Sequence, residues 1–403
     1  MSFEKTYIPY GGYWSTPFAK WQGSFASLHP IKFAAEVTRR ALAERDIEPT
    51  EFSSLHFGLT VPARNSFYGA PWFAGLIGAE TVTGPVISQA CATSARVIGG
   101  AAFEVEAGNG TAVTILCVTA DRTSNGPHLI YPNPLAPGGR GDAEDWVWDN
   151  FNRDPFAKNS MLQTAENVAG EYNISTEEQH QVALMRHAQY QHALEEDAAF
   201  HKRYMVTPVE VNPTGRKVTG TVEDDEGVFP TSAEGLARLR PVLPEGSVTF
   251  GGQTFPADGN AGMIVTTRDR ARALSRDPGI EIRILSFAEG RARKGFMPKA
   301  NAPAVRRALE KAGVSLNDIR AIKTHNPFAV NDCFMNREFG IPLEGMNNFG
   351  SSLVWGHPQG PTGMRLIIEL VEELVGLGGG YGLFTGCAAG DTAAAVVLKV
   401  TTS

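Results

Sequence analysis

The chain has 403 residues and a formal net charge of −7, from 36 Lys and Arg against 43 Asp and Glu. A mildly acidic protein is poorly suited to binding nucleic acid phosphates, and 42% hydrophobic residues indicate a folded protein rather than a disordered one. Four cysteines are too few for a disulfide scaffold, and the sequence shows neither a signal peptide pattern nor an apolar run of membrane-spanning length. We therefore expect a cytoplasmic protein that binds neither membranes nor nucleic acid.

The first 120 residues alternate helix and strand patterns. Apolar spacing predicts a helix over residues 31–44 and a strand over 52–60. A strand at 84–90, a helix at 93–107 and a buried strand at 111–118 follow. This alternation indicates an α/β fold.

The amino-acid composition changes at about residue 121. Residues 128–156 are rich in Pro, Gly, Asn and aromatic side chains, and residues 177–197 predict a polar helix. We predict an inserted loop domain over 121–243, with the chain returning to the first half over 244–275. Long insertions on a compact sheet are often lids or binding loops.

The last part, residues 276–403, repeats the order of the first. Helices are predicted at 302–312 and 361–374, and strands at 319–323, 381–386 and 392–400. Two strand-end cysteines, Cys117 and Cys387, lie 270 residues apart. The repeat predicts two similar βα halves.

Cys91 and His357 occupy equivalent points of these two halves, 266 residues apart. Cys91 lies in QACATS, at the start of a predicted helix whose N-terminus favours a thiolate. His357 lies in WGHPQGPTGMR, between the strand-like run GSSLVW and a helix. Duplicated halves would bring thiol and imidazole together, giving the cysteine a base. The alternatives are a buried core cysteine and a turn histidine.

Three further candidates follow predicted strands. Cys387 lies in FTGCAAGD, where small residues allow close approach of a ligand, and it could transfer a proton. His325 and Asn326 in THNPF could stabilise an oxyanion, or simply cap a helix before Pro327. No cysteine or histidine spacing matches a metal site, and no glycine pattern matches a nucleotide cradle.

Taken together, the motifs resemble those of the thiolase superfamily over almost the whole chain. The resemblance rests on TPFAKWQGS at Thr16, QACATS, MLQTAENVA at Met161, the segment from DDEGVFPTS to DGNAG, WGHP and GCAAG. It implies two βαβαβαββ halves stacked as a five-layer α-β-α-β-α sandwich with an inserted loop domain. It also implies a homodimer or a dimer of dimers.

The resemblance assigns a role to each candidate residue. Cys91 would be acylated, His357 would activate it, and Cys387 would move the α-proton of an acyl-CoA. His325 stands where an asparagine is usual, Asn326 replaces an acid, and the N–H of Ala389 could complete an oxyanion hole. Coenzyme A would be a co-substrate, with no permanently bound cofactor.

Several features bear on the substrate and the partners. Aromatic residues are dense near the N-terminus and in the insertion, which favours a bulky or aromatic 3-oxoacyl-CoA unless most of them are core or dimer contacts: Tyr13, Trp14, Trp21, Phe67, Tyr68, Trp72, Phe73, Trp146, Trp148 and Phe151. The sequence also resembles thiolases that pair with a small zinc-ribbon/OB-fold protein, such as benzoylsuccinyl-CoA thiolase. The alternatives are a decarboxylating ketoacyl synthase that uses Cys91, His325 and His357, and a catalytically silent scaffold subunit.

Overall fold

The computed structural model describes residues 2–108 and 113–402. Its strands, in chain order, are β1 (Tyr7–Ile8), β2 (Tyr13–Ser15), β3 (Ala19–Lys20), β4 (Ser54–Gly58), β5 (Val86–Ile87), β6 (Thr114–Arg122), β7 (His128–Tyr131), β8 (Asp142–Asp145), β9 (Val209–Val211), β10 (Gly220–Val222), β11 (Ala257–Thr266), β12 (Ile280–Arg291), β13 (Ile319–His325), β14 (Gly380–Ala388) and β15 (Thr392–Thr402).

The helices lie between these strands and within the insertion. They are α1 (Pro30–Ala43), α2 (Gly69–Ile77), α3 (Thr93–Ala107), α4 (Trp148–Asn152), α5 (Met161–Tyr172), α6 (Thr176–Ala193), α7 (Glu195–Ala198), α8 (Ala233–Ala237), α9 (Arg268–Leu274), α10 (Asn301–Ala312), α11 (Ala329–Phe339), α12 (Ser352–Trp355) and α13 (Gln359–Gly376). None of the helices in the described ranges has the length and apolar character needed to cross a membrane.

A mixed sheet of eleven strands forms the framework, in the order β13-β14-β15-β12-β1-β11-β6-β4-β5, with β2 and β3 also paired to β11. The short strand β1 pairs antiparallel with both β11 and β12 and so joins two half-sheets. The pairing on the two sides of β1 is similar but not identical, because β12 adds an antiparallel strand between β1 and β15. Strands β4 and β6 are parallel, as are β13 and β14, and each pair is followed by an antiparallel strand.

The helices complete five layers. Helix α3 packs on β4, β6 and β11, and α13 packs on β13 and β14, while the two helices also contact each other. Helices α1 and α2 cover the outer face of the first half-sheet, and α10 covers that of the second. Because α13 lies in the middle layer, nearly all its residues are buried, whereas α1 buries only one face. The predicted thiolase-type α/β sandwich is therefore confirmed.

Most predicted elements form with small shifts in their ends. The helix at 93–107 has the predicted bounds, and the strand predicted at 111–118 runs over Thr114–Arg122, its first two residues lying outside the described residues. The prediction was wrong at GSSLVW, because Ser352–Trp355 form a short helix, α12. In the second half, a single bridge between Ile322 and Met346 stands where β5 pairs with β4 in the first.

Between β6 and β11 the chain makes two small hairpins, β7-β8 and β9-β10, and helices α4 to α8. Helices α5 and α6 pack on α11, and α6 also contacts α12. Ser160 and Ser175 cap α5 and α6, the latter with a capping box completed by Glu178. Helices α5 and α6 thus lie on the second half, next to the residues that follow β13, whereas β9 and β10 share a hydrophobic core with α1 of the first half. The predicted boundaries of the inserted domain stay a prediction.

Candidate active site

A strained turn presents Cys91 between β5 and α3. Ala90 has a positive φ of 46°, a conformation that costs energy for a residue with a side chain. Thr93 holds the turn, because its hydroxyl donates to the carbonyl of Ala90 and accepts from the N–H of Gln89 at 2.8 Å. The Cys91 side chain therefore lies just ahead of the N-terminus of α3, as the sequence predicts.

His357 precedes α13 in the second half. Gly356 turns the chain with φ of 89°, and a Cβ there would lie 2.6 Å from the ring of Phe255. The N–H of His357 then donates to the carbonyl of Phe255 at 2.9 Å. These contacts fix the start of α13 against the segment that leads into β11.

Asp121 braces the same turn from the end of β6. Its carboxylate accepts from the N–H of Gly360 at 2.6 Å, at the N-terminus of α13, and from the N–H groups of Thr60 and Val61. A Cβ at residue 360 would lie 2.8 Å from Asp121 Oδ2, so only glycine allows this approach. Burial raises the pKa of Asp121 to about 6.

Cys91 and His357 are in direct contact, with Sγ 3.1 Å from Nε2. The other ring nitrogen of His357, Nδ1, lies 2.6 Å from the hydroxyl of Thr362. That hydroxyl donates its own hydrogen to the carbonyl of Pro358, so it must accept from Nδ1–H. The hydrogen bonds therefore assign the proton to Nδ1 and leave a lone pair on Nε2, facing the thiol.

Both members of this pair are neutral at rest. Burial raises the pKa of the Cys91 thiol to about 12 and lowers the pKa of the His357 imidazole to about 3. The position at the start of α3 favours a thiolate, whereas burial shifts the pKa of the thiol in the opposite direction. The N–H groups of Ala389 and of Cys91 itself act on the sulfur and lower its pKa, without reversing the shift.

His325 is the second imidazole at the site. Its ring centroid lies 4.1 Å from that of His357. Nδ1 lies 2.9 Å from the hydroxyl of Ser352, which donates to Asn326 Oδ1 at 3.1 Å and must therefore accept from Nδ1–H. Nε2 of His325 is buried and lacks a hydrogen-bond partner among the described residues. Burial, with a smaller effect of His357, keeps the pKa of His325 well below its usual value.

Asn326 lies beside His325 and makes a set of buried hydrogen bonds. Its Nδ2 donates to Asp332 at 2.7 Å, its Oδ1 accepts from Ser352 and from the N–H of Leu353, and its own N–H donates to Ser352. Asp332 is in turn held by the buried Arg186 at 2.9 Å. These contacts orient Ser352 and, through it, His325, while the contact of Asn326 with an oxyanion stays a prediction.

Cys387 ends β14 in the same centre. Its sulfur accepts from Asn331 Nδ2 at 3.1 Å, and Asn331 comes from α11. Burial, with a further contribution from Cys91, raises the pKa of Cys387. Two residues later, the N–H of Ala389 acts on the Cys91 sulfur. The structure thus brings Cys91, His357, His325 and Cys387 together, although they come from four separate segments.

Sequence reasoning missed the residues that orient this centre. Thr362 and Ser352 orient the imidazoles, Asn331 contacts Cys387, and Asp121 caps α13. Asp121 carried a usable signal, because it is the one carboxylate in the strand TILCVTADR and lies near its end. The other three are small polar residues without a distinctive spacing.

Eight of the ten aromatic residues noted in the sequence divide into three groups. Tyr13, Trp14 and Phe73 belong to the core, and Phe67 and Tyr68 are exposed on the surface. The third group is a cluster of three rings: the ring centroids of Trp21 and Trp148 lie 5.2 Å apart, and those of Trp148 and Phe151 lie 6.1 Å apart.

Comparison with known proteins identifies the family. The model for the thiolase N-terminal domain matches residues 13–269, and that for the thiolase C-terminal domain matches residues 280–400. The chain therefore belongs to the thiolase family, and it is an acyltransferase.

Individual relatives agree with this assignment over their whole length. The chain is 30% identical to the acetyl-CoA acetyltransferase of Paracoccus denitrificans over 95% of this chain and 97% of the relative. It is 29% identical to a beta-ketoadipyl-CoA thiolase of Pseudomonas knackmussii, over 92% and 94% respectively. Human mitochondrial 3-ketoacyl-CoA thiolase in complex with CoA superimposes with a TM-score of 0.88 over 100% of both chains, at 25% identity.

Proposed function

We propose that this thiolase cleaves a 3-oxoacyl-CoA with coenzyme A, or forms one by the reverse Claisen condensation, through an acyl group on Cys91. The observation that carries the proposal is the 3.1 Å contact between Cys91 Sγ and the unprotonated Nε2 of His357. A thiol that is neutral at rest needs a base within hydrogen-bond reach, and the imidazole is held in the tautomer that can take its proton.

In the cleavage direction, the Cys91 proton moves to His357 Nε2 as the sulfur attacks the 3-oxo carbon. The bond between C2 and C3 then breaks, leaving an acyl thioester on Cys91 and the enolate of the shorter acyl-CoA. Cys387 gives its proton to C2 of that enolate. Coenzyme A next attacks the acyl thioester and gives its thiol proton to the Cys387 thiolate. The Cys91 sulfur leaves as acyl-CoA forms and takes back the proton held on His357 Nε2, so all three groups return to their resting state.

Two sets of donors would stabilise the negative oxygens of these steps. The N–H groups of Cys91 and Ala389 already act on the sulfur, so an acyl oxygen bonded there lies within their reach. His357, once protonated on Nε2, is the donor to the thioester oxygen of the enolate. His325 presents an acceptor nitrogen, so it acts through a bound water or after taking a proton. Asn326 is a positioning residue for His325.

We further propose that the acyl group is bulky or aromatic. The support is the cluster of Trp21, Trp148 and Phe151. The N–H of Trp21 donates to the carbonyl of Pro256 at 3.0 Å, and Pro256 forms a bridge with His357. Trp21 is therefore linked to the base, His357, through the backbone of a single residue, Pro256. Trp148 is 42% exposed, which leaves indole surface available to a substrate.

The decisive experiment is a pulse with acyl-CoA followed by mass spectrometry of the intact protein. We expect one acyl adduct, located on Cys91 and removed by added coenzyme A. A panel of aliphatic and aromatic 3-oxoacyl-CoAs then tests the substrate class. Trp148→Ala should raise KM for aromatic substrates more than for acetoacetyl-CoA, while Phe156→Ala, another exposed aromatic, serves as the control. An adduct elsewhere overturns the proposed mechanism.

A ketoacyl synthase reaction is the second candidate, because the His325 and His357 rings meet beside Cys91. Such an enzyme would decarboxylate a malonyl thioester and would not need Cys387. Release of carbon dioxide from malonyl-CoA by the Cys387→Ala variant would favour it over the thiolase reaction.

The proposed partners are a second copy of the chain and a small zinc-ribbon/OB-fold protein. The dimer is supported by an exposed apolar surface at the edge strand β5, where Val86, Phe67 and Tyr68 are 44%, 93% and 65% exposed. The zinc-ribbon partner is supported by the sequence resemblance alone. Sedimentation of the purified chain and co-purification from the native source test these two partners.

A further inference from the structure

Besides the Cys91–His357 pair that the proposed reaction uses, the site contains three side chains whose ligand atoms lie close enough together to bind one metal ion. Cys91, His325 and His357 each offer a ligand atom, and the three atoms lie within 4.8 Å of one another. We infer that these residues form an inhibitory site for Zn²⁺ or a similar thiophilic divalent cation. Thiolate sulfur and imidazole nitrogen are both ligand types that Zn²⁺ binds, and three protein ligands leave a fourth position for water or substrate.

The hydrogen bonds orient both imidazoles as metal ligands are oriented in proteins. Metal-binding histidines usually donate their other ring N–H to a fixed acceptor, which aims the free lone pair at the metal. Here Nδ1–H of His357 donates to Thr362, and Nδ1–H of His325 donates to Ser352. Both acceptor hydroxyls are fixed by onward bonds, to the carbonyl of Pro358 and the amide oxygen of Asn326.

A second observation points independently to a ligand at this place. Nε2 of His325 is fully buried, and none of the described residues donates a hydrogen bond to it. Leaving such a nitrogen unpaired is costly, and a metal ion or a water molecule would satisfy it. Cys91 is partly exposed, so the cluster has a route to solvent.

Binding would exchange one proton for the metal. The S–H bond of Cys91 breaks, its proton passes to the buffer, and a metal–sulfur bond forms together with two metal–nitrogen bonds. No electron transfer is involved. If Cys91 is the acylated nucleophile, as proposed above, the bound metal occupies both the attacking sulfur and its base, so metal and acyl group exclude each other.

The chain positions of the ligands explain why the sequence did not predict this site. The three residues precede α3, end β13 and precede α13, and they are separated by 234 and 32 residues. Motif searches detect ligands a few residues apart, whereas these converge only in the folded chain.

The test uses the full chain without substrate and measures binding rather than turnover. Zn²⁺ affinity is read by competition with a chromogenic chelator, and Co²⁺ is added separately to detect a thiolate-to-metal absorption band. We expect one tight site per chain, lost in Cys91→Ser and His325→Leu. Cys387→Ala, a neighbouring thiol outside the trio, should bind as the parent does. Ser352→Ala, which removes only the orienting hydroxyl, should weaken affinity by about tenfold or more.

Two results would overturn the inference: no binding of Zn²⁺ at micromolar concentration, or binding that Cys91→Ser and His325→Leu leave unchanged. Circular dichroism establishes whether each variant is folded, and Ser352→Ala decides the matter if the others are not. Acylation of the metal-free protein, followed by mass spectrometry, separates the two proposals. Acylation of Cys91 without metal binding rejects only the metal site, whereas metal binding without acylation rejects only the proposed reaction.

Discussion

Arg365 and Asp225 form a two-pronged ion pair inside the protein, with Nη1–Oδ1 and Nη2–Oδ2 distances of 2.6 and 2.8 Å and both side chains fully buried. Arg365 lies on α13, the helix that begins just after His357, and Asp225 belongs to the segment between β6 and β11. Asp225 also accepts from the N–H of Phe18 and the hydroxyl of Tyr190. One carboxylate therefore ties the insertion, the N-terminal segment and the middle layer together.

Removing Asp225 should destabilise the fold strongly. Among the described residues, Asp225→Ala leaves the buried Arg365 with Glu369 as its one acidic partner, and breaking a buried pair costs about 3–5 kcal/mol. Arg293→Ala is the matched control, because its ion pair with Glu171 is at the surface and should contribute about 0–1 kcal/mol. Urea unfolding measures both, and equal losses would contradict the distinction.

The orienting role of Thr362 can be tested separately from that of the base. Thr362→Val keeps the shape of the side chain but removes the acceptor of His357 Nδ1–H, so the imidazole loses its fixed tautomer. We expect a slower acylation of Cys91 in rapid-mixing experiments, by about 10- to 100-fold, as with other orienting partners of histidine. Thr266→Val, at a buried threonine on β11, is the control. Unchanged acylation in Thr362→Val would reject this role.

Cys387→Ala should separate acylation from proton transfer. Without the Cys387 thiol, an acyl-CoA should no longer exchange its α-protons in deuterated buffer, while Cys91 is still acylated. Cys333→Ala is a suitable control, because Cys333 is another buried thiol, on α11. Nuclear magnetic resonance of the recovered acyl-CoA follows the exchange, and exchange at the parental rate in Cys387→Ala would refute the assignment.

Replacing His357 and replacing His325 should slow different steps of the reaction. His357→Ala removes the base and should suppress alkylation of Cys91 by iodoacetamide at neutral pH. His325→Ala should alkylate like the parent yet lose about 10²- to 10³-fold in bond cleavage, the usual effect of removing one group that stabilises an oxyanion. Peptide mapping measures the first effect and steady-state kinetics the second. Parental alkylation of His357→Ala would mean that another group activates the thiol.

Asp258 should make the free energy of unfolding depend on pH. Burial raises its pKa to about 6, from about 4 in an unfolded chain. The folded protein thus binds the proton more tightly, and stability rises as pH falls through 6. Between pH 7.5 and 5, the parent should gain about 1 kcal/mol relative to Asp258→Asn, which cannot titrate. Urea unfolding at the two pH values measures this gain, and a constant difference between the proteins would contradict it.

The sequence predicts the placement of Cys91 and His357 well, because both depend on a strand or turn followed by a helix at the same point of a repeat. It cannot predict the partners that orient them. Thr362 acts within one turn of helix, but Ser352 and Asn331 reach His325 and Cys387 across elements whose packing is decided by the whole core. For a similar reason the sequence did not predict that the second half lacks a strand equivalent to β5. The segment GSSLVW is apolar enough for a strand, but its residues 352–355 form helix α12.

Because the two halves are equivalent, the active site needs both of them. Each half contributes one member of the Cys91–His357 pair from the start of its own middle-layer helix, and the two side chains are in contact. A chain with a single half would carry the thiol or the imidazole without its partner. It could assemble the pair only by associating with a second chain, so fusing two halves into one polypeptide makes the chemistry independent of protein concentration.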